Sequence, residues 1–314
     1  MSNLVSFSNL IKTDWPEEIF IEGGLLSRGD KMLIGADAKA GKSTLLTTLI
    51  RQFLIGGNFL GFPIKKPLKV LLMQAELRES RLKERIIVKF KTIDEQFLEQ
   101  SFAWNTRGLI MLDTHFNLIK DHLAKIKPDV TIVDPFINFH TAAENDPVEI
   151  SRIFRKLDNL KEEFNMALIL SQHFRKASKE YSDSLLDMIR GSSAFRAWPD
   201  TIIAIEGRTQ SGYRRLEFDI RNSDTPLKRM IKYNTETKEF DWHDPISLVY
   251  DLVKIDMSNG TEVTTNQFVE LIIKKCGHIV GKKRQSAFEI KDLLISSQMI
   301  HSRIDGVRTL ISIT

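Results

Sequence analysis

Short apolar runs alternate with longer amphipathic stretches from residue 30 to about residue 235. Runs of this length and composition predict strands that are buried on both faces of a sheet, and the stretches between them have the apolar spacing of helices. Strands are predicted at 31–36, 69–76, 130–136, 166–174, 201–207 and 214–222, and helices at 42–57, 77–91 and 148–165. This order predicts an α/β fold with a mostly parallel sheet covered on both faces, the last two strands being antiparallel at one edge.

The pattern changes character at 235–245. From there the sequence predicts three helices, at 246–256, 264–277 and 282–298, followed by a β-hairpin that turns at Asp305-Gly306. We therefore predict a domain at 1–240 and a second one at 246–314, with the element order of a winged helix. A small helical cap without a ligand is the alternative.

Composition narrows the class of protein only slightly. Of the 314 residues, 42% are hydrophobic and 27% are charged, as in ordinary globular proteins. No apolar run approaches the roughly 18–20 residues of a membrane span, and the N-terminus does not have the pattern of a signal peptide. Cys276 is the single cysteine, which fits a reducing, cytoplasmic location. The net charge of +4 is compatible with a nucleic-acid partner.

The segment GADAKAGKST, residues 35–44, has the form of a phosphate-binding loop between a strand and a helix. It departs from G-x-x-x-x-G-K-[ST] because Ala36 replaces the first glycine. We expect Gly35 to take the sharp bend instead and Gly41 to lie against the phosphates. The alternative is a degenerate loop without a ligand. The predicted nucleotide contacts are Asp37, Ala38, Lys39, Ala40, Gly41, Lys42, Ser43 and Thr44.

Within this loop, Lys42 would reach the β- and γ-phosphates of ATP, and the Ser43 hydroxyl would bind Mg²⁺. Asp134 ends the strand VTIVD and is the candidate carboxylate for the Mg²⁺ site; a simple turn residue is the alternative. Glu76 closes the strand LLMQAE and is the candidate general base for the attacking water. Its alternative is an acidic residue that favours the dipole of the next helix.

Gln172 and His173 end the strand LILSQH. At the carboxyl edge of a parallel sheet they are candidates to sense the γ-phosphate, although a histidine there is also common as an ordinary edge residue.

These pieces together resemble the RecA-like ATPases of the RepA hexameric helicase type, which are related to DnaB and RadA. The resemblance covers about residues 15–235. The matching segments are IEGGLLSRGDKMLIGADAKAGKS, GGNFLGFPIKKPLKVLLMQAEL, KPDVTIVDPFINFHTAAENDPVEISRIFRKLDNL and LILSQHFRKAS…DMIRGSSAFRAWPDTIIAIE. The chain departs from the family at Ala36 and at Asp219, where DnaB-type enzymes have a lysine two positions before the arginine that matches Arg221.

The resemblance implies a ring, usually a hexamer, that binds ATP between subunits and moves on single-stranded DNA. Arg221 would then be an arginine finger for the neighbouring subunit, with Arg190 as a second candidate and a solvated edge-strand arginine as the alternative. Arg85 belongs to the basic helix at 81–91, for which a solvated face is the favoured interpretation, and it is also a candidate contact for the nucleotide base. A primase or another replication protein is a possible partner, and no membrane partner is expected.

Three regions are candidates for DNA contact. In RecA-like rings the loops that correspond to 138–147 and 174–194 face the central channel, where basic side chains would hold phosphates; a mobile charged surface loop is the alternative. The third region is the third helix of the C-terminal module, where DNA contact and docking of a protein partner remain open. The candidate DNA-binding residues are Arg175, Lys176, Lys179, Lys282, Lys283 and Arg284.

The sequence thus favours a helicase that replicates a mobile element and hydrolyses ATP at subunit interfaces. Two alternatives remain. One is a RecA-like regulator or loader that uses ATP as a switch without unwinding DNA. The other is a non-enzymatic DNA-binding protein with a vestigial loop.

Overall fold

The structure is a computed structural model that describes residues 4–14, 18–174, 184–189, 193–207, 209, 212–224, 228–257, 261–280 and 284–313. Two 3₁₀-helices, Phe136–Phe139 and Leu185–Met188, and ten α-helices occur in these ranges. The α-helices are α1 (Phe7–Lys12), α2 (Lys42–Ile55), α3 (Glu79–Phe90), α4 (Glu95–Glu99), α5 (Phe116–Ile126), α6 (Pro147–Phe164), α7 (Ala194–Ala197), α8 (Pro245–Lys254), α9 (Thr265–Val280) and α10 (Arg284–Ser296).

Sixteen strands occur in the same described ranges. They are β1 (Ile19–Ile21), β2 (Leu26–Ser27), β3 (Lys31–Ala36), β4 (Asn58–Phe59), β5 (Phe62–Pro63), β6 (Val70–Gln74), β7 (Phe102–Asn105), β8 (Val130–Asp134), β9 (Ala167–His173), β10 (Thr201–Ile205), β11 (Tyr213–Ile220), β12 (Arg229–Tyr233), β13 (Phe240–His243), β14 (Glu262–Thr264), β15 (His301–Asp305) and β16 (Arg308–Ser312).

A nine-stranded sheet organises the larger part of the chain, in the order β13-β12-β11-β10-β3-β9-β8-β6-β7. The six strands from β10 to β7 are parallel, and β11, β12 and β13 continue the sheet in antiparallel pairs. The predicted α/β fold with a mostly parallel sheet and an antiparallel edge is therefore confirmed. The parallel order brings the carboxyl ends of β3, β6, β8 and β9 to one edge of the sheet, where ligands bind in open α/β folds.

Helices cover both faces of the sheet, and alternate strand residues contribute to the two cores. On one face, Leu45, Leu49 and Phe53 of α2 pack with α3 and with β3 residues such as Ile34. On the other face, α5, α6 and α7 pack against the opposite side chains of the same strands. These strands are near-continuously apolar because both of their faces are covered.

The C-terminal module contains α8, α9, α10 and a three-stranded antiparallel sheet in the order β14-β16-β15. The β15–β16 hairpin turns at Gly306, whose φ of 62° requires the left-handed region. Cys276, Phe268 and Ile311 belong to the core of this module, and Met230 of β12 belongs to the same cluster. The module therefore packs against the antiparallel edge of the large sheet.

Two local expectations differ from the structure. Residues 235–245 contain β13, so the large sheet extends to His243. Gly35 does not take the bend after β3: it is extended within the strand and pairs with Gln172. A Cβ atom at Gly35 would lie 2.9 Å from a ring carbon of Phe174. Glycine is required at position 35 because a side chain there would collide with Phe174. The left-handed positions of the loop are Lys39 and Gly41, with φ of 62° and 95°.

Candidate nucleotide-binding site

The loop between β3 and α2 has the geometry of an anion-binding turn. Ala36 ends β3, and α2 begins at Lys42 directly after Gly41 in the left-handed conformation. The backbone N–H of Ala40 donates to the carbonyl of Asp37 at 3.1 Å, which closes the turn. The first N–H groups of a helix have no partner within the helix, so those at the start of α2 are available to an anion in front of the loop.

Gly41 is in close contact with the antiparallel part of the sheet. A Cβ atom at this position would lie 2.6 Å from Phe240 Cζ and 2.7 Å from Arg214 Nη1. The guanidinium of Arg214 donates a hydrogen bond to the Ala40 carbonyl and lies 5.1 Å from the ring centroid of Phe240. Arg214 of β11 and Phe240 of β13 therefore pack against the loop without lining the cleft.

The Lys42 ammonium is buried, and no hydrogen-bond partner of Nζ is present among the described residues. Burial lowers the pKa of Lys42, while the carboxylates of Asp134 and Glu76 act in the opposite direction. A buried ammonium without a partner is costly. The arrangement therefore fits a phosphate group in front of the loop.

Asp134, at the end of β8, pairs in register with Gln74 of β6. The hydroxyl of Ser171 donates to its carboxylate. Burial raises the pKa of Asp134, and the nearby Lys42 opposes this shift. Ser43 lies in the first turn of α2 and lines the same cleft as Lys42. A hydroxyl and a carboxylate are oxygen ligands of the kind that Mg²⁺ prefers.

Glu76 follows the carboxyl end of β6 and His173 ends β9, with β8 between the two strands. Nε2 of His173 is 4.0 Å from Oε1 of Glu76. The contact with His173 lowers the pKa of Glu76, with a further contribution from Lys42. Glu76 is thus a carboxylate, the form that can accept a proton.

These groups line one cleft of about 600 Å³. Nine of the predicted residues contribute to its walls: Asp37, Lys39, Gly41, Lys42, Ser43, Thr44, Glu76, Arg85 and His173. Ala38 and Ala40 belong to the loop but do not line the cleft, and Asp134 is adjacent through its interaction with Lys42.

Gln172 does not line this cleft. Its side chain is buried and donates to the carboxylate of Glu144, in the segment before α6. The role of Gln172 as a phosphate sensor stays a prediction. In the structure its hydrogen bond links β9 to the segment before α6.

Several cleft residues were not predicted from the sequence: Thr47, Glu84, Val88, Lys89, Tyr233 and Lys238. The buried Lys89 of α3 donates to Thr47 Oγ1 at 2.8 Å, Thr48 Oγ1 at 3.1 Å and the Thr44 carbonyl at 3.0 Å. It thereby attaches α3 to the first turns of α2.

Arg221 is far from the cleft of its own subunit. It donates to Asp200 at 3.0 Å and to the Ala197 carbonyl at 2.6 Å, near the amino end of β10. Since β3 and β10 are parallel, this position is at the opposite edge of the sheet from the phosphate loop. A role for Arg221 at ATP would therefore require the cleft of a second copy.

One of the six candidate DNA contacts, Arg284, belongs to the described residues. Arg175, Lys176 and Lys179 lie outside the described residues, as do Lys282, Lys283 and the second finger candidate, Arg190. Arg284 begins α10, where it donates to Asn266 at 2.8 Å and lies 3.8 Å from Glu270.

The parallel sheet, the loop that ends in Gly41-Lys42-Ser43 and the carboxylate of Asp134 at the neighbouring strand end define a P-loop nucleotide-binding protein with a RecA-like core. The AAA_25 family model, described as an AAA domain, matches residues 2–179, more than half of the chain. The chain therefore belongs to this family.

One solved structure with the same fold is a KaiC-like protein from the hyperthermophilic archaeon Pyrococcus horikoshii OT3. It is 15% identical to this chain, with a TM-score of 0.51, and the match covers 72% of this chain and 94% of the KaiC-like chain. At this level of identity the similarity shows the fold alone. No curated protein matches the sequence. Among the described helices, none has the length and apolar character that a membrane span needs.

Proposed function

We propose that this protein is a ring-forming, Mg²⁺-dependent ATPase that couples ATP hydrolysis to movement along single-stranded DNA, as a helicase of the RepA type. The observation that carries the ATPase part is the buried, unpartnered ammonium of Lys42 at the start of α2, with the carboxylates of Asp134 and Glu76 beside it. The DNA and helicase parts are supported by the resemblance of the motifs.

The residues of the cleft would have three roles: binding the phosphates, binding Mg²⁺ and activating the attacking water. Lys42 and the backbone N–H groups of the loop would hold the β- and γ-phosphates, and Ser43 and Asp134 would hold Mg²⁺. Bound Mg²⁺ would neutralise charge on the phosphate oxygens. Glu76 would orient and deprotonate the attacking water, because its lowered pKa keeps it ionised.

A second copy would complete the site with Arg221, which would stabilise charge on the phosphate in the neighbouring cleft. This assignment is supported by the position of Arg221 far from its own loop. The C-terminal module would act as a winged helix that contacts DNA or docks a partner protein, supported by its order of three helices and a three-stranded sheet.

The test is ATP hydrolysis with and without single-stranded DNA, measured beside strand displacement and particle mass. The wild type should hydrolyse ATP faster with DNA, displace a strand and form a ring, whereas Lys42→Ala should lose ATP binding. Lys65→Ala, which removes a surface lysine paired with Glu22 at 3.6 Å, is the control and should behave as wild type.

Hydrolysis stimulated by DNA without strand displacement would favour a regulator or loader. Unchanged nucleotide binding in Lys42→Ala would contradict the enzyme proposal and leave the DNA-binding protein with a vestigial loop.

A further inference from the structure

The turn between β12 and β13 contains a lysine in an uncommon backbone conformation. Lys238 has φ of 60°, in the left-handed region that residues with a Cβ atom rarely adopt. Its side chain is exposed and lines the nucleotide cleft, as does Tyr233 at the end of β12. Glycine would form the same turn with less strain. A strained residue in a binding cleft therefore favours a function for the side chain itself.

Hydrogen bonds within the turn fix its conformation. The N–H of Asn234 donates to the carbonyl of Glu239 at 2.8 Å, which closes the turn. The side-chain oxygen of Asn234 accepts from the N–H groups of Glu236 and Thr237 at 2.9 and 3.2 Å. The backbone therefore holds Lys238 in its strained conformation beside the cleft.

Glu239, directly after Lys238, connects the turn to two helices of the cleft. Its carboxylate is partly buried, lies 3.9 Å from Arg51 of α2 and is close enough to Lys89 of α3 to interact with its charge. Arg51 in turn donates to the backbone carbonyl of Lys89 at 2.9 Å. The position of Lys238 is thus fixed relative to both helices.

The order of the strands indicates which end of a bound nucleotide faces this turn. The phosphate loop follows β3, and the strands that lead to His173, Asp134 and Glu76 lie on one side of β3. Strands β12 and β13 lie on the other side of β3, beyond β10 and β11. In the proposed function the γ-phosphate lies between Lys42 and Glu76. The ribose and the base therefore extend towards the side of β12 and β13, where Lys238 lines the cleft.

We propose that Lys238 binds the nucleoside part of ATP, with its ammonium donating to acceptor atoms of the ribose or the base. A lysine ammonium is a compact cation with three donors on a flexible stem, which suits the nitrogen and oxygen acceptors of a nucleoside. The nucleoside is the same in ATP and ADP, so the contact contributes uniform binding and leaves the hydrolysis step unchanged. The inference rests on the nucleotide site of the proposed function and does not depend on DNA or on a ring.

The test measures the binding of ADP and of a non-hydrolysable ATP analogue to the full chain with Mg²⁺, by calorimetry, beside kcat at saturating ATP. Lys238→Met should weaken the binding of both nucleotides by about tenfold, because a hydrogen bond from a charged donor is lost. The kcat should stay unchanged, as expected for uniform binding.

Inorganic tripolyphosphate has no nucleoside, so its affinity, measured by competition with ADP, should be the same for Lys238→Met and the wild type. A tripolyphosphate affinity that falls by the same factor as the ADP affinity would place Lys238 at the phosphates and overturn the assignment.

Lys238→Gly separates the side chain from the strain of the backbone. Glycine adopts φ of 60° without the penalty of a Cβ atom, so this variant should unfold at no lower urea concentration than the wild type. It should still lose about tenfold in nucleotide affinity. Lys127→Gly is the matched control, because Lys127 is an exposed lysine with φ of 49° at the end of α5 and does not line the cleft. This control should keep both its stability and its affinity.

The outcomes distinguish this inference from the proposed function. A wild type that binds neither nucleotide would refute both the ATPase and the role of Lys238. A wild type that binds and hydrolyses ATP, with nucleotide affinities equal to those of Lys238→Met and Lys238→Gly, would refute the role of Lys238 alone. A selective loss of nucleotide affinity in both variants supports the inference even if the wild type displaces no DNA strand.

Discussion

The guanidinium of Arg214 donates a hydrogen bond to the backbone carbonyl of Ala40, across 174 positions of the chain. Arg214 is buried, and its guanidinium also lies over the ring of Phe240. The conformation of the phosphate loop therefore depends on β11 and β13, which lie beyond the segment matched by the family model. Arg214 is a positioning residue, because it contacts the loop from behind and does not line the cleft.

Replacing Arg214 with Met should weaken ATP binding by about tenfold or more, since a buried hydrogen bond from a charged donor contributes about 1.5–3 kcal/mol. Arg214→Lys keeps a donor but loses the planar contact with Phe240, so it should recover part of the affinity. The control is Arg215→Met, whose side chain lies on the other face of β11 beside Glu217. Equal ATP affinities, measured by calorimetry, for Arg214→Met and Arg215→Met would contradict this role.

Gly41→Ala should lower both stability and ATP affinity. The left-handed conformation costs a residue with a Cβ about 1–2 kcal/mol, and the added atom would also contact Phe240 and Arg214. Gly108→Ala separates the two effects, because Gly108 has φ of 71° and nothing within 4 Å of the added atom. We expect both variants to lose stability in urea unfolding and only Gly41→Ala to lose affinity. If Gly41→Ala binds ATP as tightly as the wild type, the loop tolerates the contact of the added atom with Phe240 and Arg214.

Glu76→Gln should bind ATP with near-normal affinity and lose hydrolysis. A positioned general base contributes about 10²–10⁴ in rate, and the amide cannot accept the proton. A change of charge at Glu76 also removes one of the two carboxylates near Lys42, so Kd must be measured together with kcat. Glu79→Gln, at an exposed residue paired with Arg107 at 2.7 Å, is the control. A rise in Kd for Glu76→Gln with kcat unchanged would point to a binding role instead.

The strands β3, β6, β8, β9, β10 and β11, helix α2 and the residues from Gly41 to Ser43 were predictable because their signals are local: apolar runs, a glycine before the lysine, a carboxylate after a strand. Phe240 was missed because β13 is short and is fixed only by pairing with β12, where Ile231 faces Trp242. The need for glycine at position 35 depends on Phe174 across the sheet, which no local pattern reveals.

The alternation of residues along β11 does indicate in the sequence that Arg214 is buried. Leu216, Phe218 and Ile220 alternate with it on β11 and face the core that contains α2. An arginine in register with buried apolar residues indicates a charged group brought inside for a particular partner. The partner itself, a backbone carbonyl of the loop, could be identified only from the fold.

Lys89 should make stability depend on pH in the alkaline range. Burial lowers its pKa from 10.5 to about 8, with Arg85 and Arg51 contributing and Glu239 opposing. Between these pH values the unfolded chain holds a proton that the folded protein has released, so the free energy of unfolding gains a positive slope with pH. The penalty of the buried charge is therefore fully present below about pH 8 and is relieved towards pH 10.5.

Comparing urea-unfolding midpoints of wild type and Lys89→Met across this window isolates the effect from other titrating groups, with Lys125→Met as the control for removing an exposed lysine. The wild type should gain stability relative to Lys89→Met as the pH rises; a constant difference would mean that the Lys89 amine keeps its proton throughout the window.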